Sequence, residues 1–97
     1  MIRHVVVITW TPDATDEQKL QASAGLATLP PLMSGLRSYV FGPDVGVTNG
    51  NADFAIVADF DDADSYVAYR DHPAHVDVVK RSIAPISTQR RAVQFKV

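Results

Sequence analysis

The stretch IRHVVVITW, residues 2–10, constrains the fold more than any other in this chain. It is rich in β-branched residues and is followed by the turn-forming run TPDATD, which predicts a strand. Alternation divides it into two faces: Ile2, His4, Val6, Ile8 and Trp10 on one, and Arg3, Val5, Val7 and Thr9 on the other. Both faces carry valines. A strand covered on one side and wet on the other would alternate cleanly, so this one asks for cover on both sides.

The remaining elements can be read in order. TDEQ, residues 15–18, matches a capping box with Thr15 as N-cap and Gln18 three residues on, and predicts a helix to about Leu29, ended by Pro30-Pro31. GLRSYVFGPDVG, 35–46, predicts a second strand bent or ended at Gly42-Pro43. TNGN, 48–51, suggests a tight type I′ hairpin turn. ADFAIVADF, 52–60, alternates as a third strand, and DDADSYVAYRD, 61–71, predicts a helix with an aspartate N-cap. PAHVDVVKRSIAP, 73–85, predicts a second helical piece with Val76, Val79 and Ile83 on one face, and RRAVQFKV, 90–97, a closing strand.

The order β-α-β-β-α-β over 97 residues gives one α+β domain, 1–97, of ferredoxin-like type: a four-stranded antiparallel sheet with helices on one face. Two helices cover only one side. The uncovered side is expected to expose several of Val5, Val7, Ala55, Val57, Tyr39 and Phe41 or their alternates, a patch too apolar for a monomer. A homodimer joined through the sheet faces is therefore expected.

Nine basic against eleven acidic residues, without basic clustering, argue against a nucleic-acid partner. No segment is long and apolar enough to span a membrane, and VVVI at 5–8 is too short for a leader. With no cysteine, the cytoplasm is the expected compartment.

The candidate chemistry lies in histidines. In DHPAH, 71–75, Pro73 disfavours helical geometry at His72 and suits the first position of the next helix. His75 then falls in that helix's first turn, where the dipole lowers its pKa and favours a neutral imidazole. Such a ring can act as a general base, hold a ligand carbonyl or hydroxyl, or cap a backbone group. His72 reads mainly as structural. His4, on a face with Val6 and Ile8, either satisfies itself in the core or lines a pocket with them. Tyr69 precedes His75 by six residues and can meet it across the helix break. Two histidines beside a proline kink do not make a metal site, and glycine-rich phosphate loops and nucleophile elbows are lacking, so no cofactor is expected.

IRHVVVITW, GPDVG, ADFAIVADF and above all YVAYRDHPAHVDVV resemble the Dabb family, the stress-responsive dimeric α/β-barrel proteins, over nearly the whole chain. The resemblance implies a homodimeric barrel of ferredoxin-like protomers. By likeness to the plant polyketide cyclases of that family, which use neither metal nor organic cofactor, it implies a pocket between sheet and helices. His75 would be the general base there, with Tyr69 and His4 binding and polarising the substrate. His72 matches as the first histidine of the motif, and Val6 and Ile8 complete the expected lining. Three functions stay open at this point. One is a small-molecule binder for phenolic or polyketide-like compounds. Another is a cofactor-free cyclase or monooxygenase, and the third a structural, stress-protective dimer without catalysis.

Overall fold

The computed structural model describes residues 1–97. Strands β1 (Ile2–Trp10), β2 (Leu36–Pro43), β3 (Phe54–Phe60) and β4 (Ser87–Lys96) form one antiparallel sheet in the order β2-β3-β1-β4. Helices α1 (Asp16–Ala27), α2 (Ala63–Asp71) and α3 (Pro73–Val78) lie on one side of it. This is the expected ferredoxin-like α+β architecture.

Helix α1 starts as its sequence predicts. Gln18 N–H donates to Thr15 Oγ1 at 3.1 Å, and Thr15 N–H donates to Gln18 Oε1 at 2.8 Å. It closes at Ala27, and Pro30-Pro31 open a short 3-10 turn. Asp62 caps α2 by accepting from Ser65 N–H at 2.8 Å.

Alternation along β1 sorts its side chains as expected. His4, Ile8 and Trp10 are buried under the helices, with Val6 packed against the same core beside Leu26, Phe54, Ile56, Phe60, Tyr69 and Ile83. On the opposite face the register lines up Val40, Val57, Val5 and Val93 in one row across all four strands. Val40 and Val93, at its two ends, are 58% and 56% exposed. Beside this row Arg3 makes a bidentate pair with Asp59, at 2.8 and 2.9 Å. Helices leave this apolar surface bare.

Three expectations need correction. Tyr39 and Phe41 face the helices, opposite Ala58 and Ile56, because a register shift between Leu36 and Ser38 resets the alternation of β2. The connection between β2 and β3 is no two-residue hairpin. It spans residues 44–53, Asn49 keeps a negative φ, and the left-handed positions are Gly46 and Gly50. Asp44 holds the loop instead, its carboxylate accepting from Gly46 N–H and Asn51 Nδ2. Finally, the piece after Pro73 is not one regular helix. Beyond Val78 it widens into a π turn over Val79–Ile83 and tightens into a 3-10 turn over Ala84–Ile86. The widened turn shifts the phase, so Val76 points outward while Val78, Val79 and Ile83 pack inward.

Candidate functional site

A cavity of about 220 Å³ lies between β1, β4 and the helices. Its floor is the β1 row His4, Val6 and Ile8, with Ile56 beside it. Leu26 of α1, Tyr66 and Tyr69 of α2, and Val79 and Ile83 of the π turn form the walls. His75 of α3 and Arg90, Arg91 and Ala92 of β4 complete it. Five of the six site residues expected from sequence, His4, Val6, Ile8, Tyr69 and His75, are thus brought together.

His72 is not among the lining residues. It sits at the junction of α2 and α3 with φ −62° and ψ 131°, out of the helical region as the following proline requires. Its Nδ1 accepts from Ala74 N–H at 3.0 Å and so caps α3, with Pro73 at the first helical positions. The kink it makes turns the next residues back over α2.

That turn brings the His75 ring to 4.2 Å from the Tyr69 ring, centroid to centroid. The backbone oxygen of Arg70 lies 3.0 Å from His75 Nδ1. A carbonyl can only accept, so Nδ1 carries the proton and Nε2 keeps its lone pair in the neutral ring. Burial lowers the His75 pKa most; the Arg70 carbonyl works against that, and the charges of Arg90 and His72 add to the lowering. The neutral state is thereby favoured, chiefly by desolvation rather than by the helix dipole.

His4 is 6% exposed. Its pKa is lowered to about 4, mainly by burial and secondarily by His75. Gln94, its register partner on β4, donates from Nε2 to His4 Nδ1 at 2.8 Å, which puts the proton of the neutral ring on Nε2. The two rings therefore offer complementary functions, an acceptor at His75 and a donor at His4. Tyr66 packs 4.7 Å from His4. The Tyr69 hydroxyl lies 2.9 Å from that of Tyr39, and burial pushes both phenols upward, so they stay protonated.

Sequence reasoning missed Tyr66, Arg90 and the hydroxyl partner Tyr39. Tyr66 stands three residues before Tyr69 on the same helix, a spacing that puts both on one face. Arg90 and Ala92 alternate with Gln94 along β4 and could have been placed once the β1–β4 register was known. No three His, Asp or Glu side chains converge to hold a metal ion.

The fold and this cavity define a ferredoxin-like protomer that bears a small, half-open site between sheet and helices. The chain belongs to the Stress responsive A/B Barrel Domain (Dabb) family, whose model matches residues 2–97. It is similar to a dimeric ferredoxin-like protein of unknown function from Thermobifida fusca, with 42% identity and a TM-score of 0.92 over 99% of this chain and 90% of that one. A dimeric ferredoxin-like protein of unknown function from Bacteroides fragilis shares 24% identity, with a TM-score of 0.86 over 99% and 95% of the two chains. The hydroxynitrile lyase of Passiflora edulis has the same fold at 15% identity, with a TM-score of 0.86 over 99% and 92%. No curated protein matches the chain.

Proposed function

We propose that this chain is a homodimer that binds a small phenolic or polyketide-like molecule in the cavity between sheet and helices. The dimeric state of the relatives from T. fusca and B. fragilis supports the dimer, and the bare valine row supports joining through that face. The observation that carries the reading is the His4–His75 pair: two neutral imidazoles of opposite hydrogen-bonding sense lining one apolar cavity. A phenol or an enolisable carbonyl compound has the matching donor and acceptor. About 220 Å³ is below the roughly 300–1,000 Å³ of common ligand pockets but above the ~150 Å³ that holds benzene, so the occupant is one ring rather than an extended chain. A cytoplasmic location is part of the same proposal.

The fixed tautomer of His75 favours a second reading, a cofactor-free enzyme. An Nε2 lone pair on a ring whose pKa is held down can take a proton from a carbon between two carbonyls. His4 Nε2–H can donate to the enolate oxygen that forms, and Tyr69 can orient the substrate. A cyclase of the olivetolic acid cyclase kind works this way, and a monooxygenase would begin with the same deprotonation.

Calorimetric titration with resorcinol tests the binding reading. Saturable binding in the millimolar range or tighter is expected, weakened at least about fivefold in His75→Ala. Failure to saturate would leave the structural, stress-protective dimer as the account of this fold.

A further inference from the structure

Four of the six arginines are spent on aspartates: Arg3 on Asp59, Arg37 on Asp61, Arg70 on Asp71 and Arg81 on Asp77. Arg90 and Arg91 have no carboxylate partner. Their places in the sheet differ. Arg91 is in register with Val7, on the bare face, where it borders a shallow depression with Val5 and Val93, although it also contributes to the cavity lining. Arg90 is in register with buried Ile8, on the helix side, and lines the cavity together with His75.

No aspartate or glutamate lines that cavity. Its histidines are held neutral by burial, so its fixed charges are the guanidiniums of Arg90 and Arg91, and Arg90 is the one whose charge is felt at His75. Otherwise the walls are mostly apolar, with Leu26, Ile56, Val79 and Ile83. A cation on a β-strand beside an apolar, partly enclosed space, with its five N–H donors uncommitted to any acid, is built to receive an anion at the end of a hydrophobic body.

We propose that the ligand is an anion: a single-ring aromatic carboxylate whose ring lies among Leu26, Ile56 and Ile83 and whose carboxylate pairs with Arg90. This rests on the cavity being a ligand site, and adds the charge of the ligand and the residue that selects it. It also fixes the ligand's direction, with its carboxylate at the β4 side of the cavity and its ring toward the floor of the sheet.

The test uses two isosteric probes, 4-hydroxybenzoate and 4-hydroxybenzamide, titrated into the wild-type protein, Arg90→Gln and Lys96→Gln. The acid is expected to bind at least about fivefold more tightly than the amide and to weaken with added salt. In Arg90→Gln the acid should lose about tenfold in affinity while the amide is unchanged, and Lys96→Gln, which removes an exposed cation outside the cavity, should match wild type for both. Because Arg90 is exposed and makes no ion pair, the fold of Arg90→Gln should be intact by circular dichroism. Equal binding of acid and amide by wild type, or an Arg90→Gln effect that is nil or the same for both probes, would overturn the charge assignment and leave the cavity reading standing. If wild type binds neither probe at millimolar concentration, both fall.

Discussion

At the scale of single residues, local chain geometry explains both the form and the chemistry of the site. A proline after His72 breaks one helix and starts another, and the resulting kink delivers His75 to the carbonyl of Arg70 and the ring of Tyr69. His4 reaches the same cavity because strand alternation sends it under the helices with Ile8 and Trp10. Its burial has a measurable consequence. A ring with a folded pKa near 4 binds its proton more weakly than the unfolded chain does, so unfolding takes up protons between that value and about 6.5. The stability it supports is complete above about pH 6.5 and is lost as the pH falls toward 4, by an amount of order 3 kcal/mol or less. Following the histidine ring protons by NMR should give one resonance titrating near pH 4 that disappears in His4→Gln; a titration near 6.5 for all three histidines would show that His4 is not buried as described. The types of these residues were legible in the sequence. Their tautomers were not, because each depends on a partner distant in sequence or folded back by the kink: Gln94 for His4, and the Arg70 carbonyl for His75.

Elements with signals written in adjacent residues were also legible: the capping box of α1, the aspartate cap of α2, and the two faces of β1. Where an irregularity intervenes, periodicity fails. Near Arg37 the ladder between β2 and β3 slips, and Tyr39 and Phe41 turn to the helix side; one extra residue inverts every face after it. The π turn after Val78 does the same to a helix, exchanging Val76 for Val78. Gly35 shows how tightly β2 is joined to α2. It has a φ of +78°, and a Cβ there would stand 2.8 Å from Ser65 Cβ and closer still to its hydroxyl. Gly35→Ala therefore combines backbone strain with a clash, and is expected to cost about 2 kcal/mol or more in denaturant unfolding. A loss below about 0.5 kcal/mol would mean that the Gly35–Ser65 contact is loose.

Considered whole, the protomer has a covered face that houses the cavity and a bare face with the four-valine row. The sequence announced the second face through the doubly apolar β1, although it could not say which residues of β2 would lie there. Charges placed at the two ends of that row test the dimer without striking the core. Val40→Asp with Val93→Asp replaces two side chains that are more than half exposed in the single chain, so the protomer fold should tolerate them. In the proposed dimer the same carboxylates would be buried without partners. Light scattering should report a dimer for wild type and a monomer for the double variant; a dimer in both would place the interface elsewhere. The cavity opens beside β4, at the edge of the sheet, and so stays on the helix side of the protomer, away from the proposed interface.

The central claim is that His75 is held in place for a ligand rather than for the fold. Its denaturant unfolding free energy in His75→Ala, at a protein concentration matched to wild type because dimers unfold by mass action, tests this most directly. The ring is only half-buried and its one hydrogen bond is to a solvent-accessible carbonyl, so a change within about 1 kcal/mol is predicted. A loss of roughly 2 kcal/mol or more would contradict the claim and make the His-Pro-Ala-His kink a device of architecture.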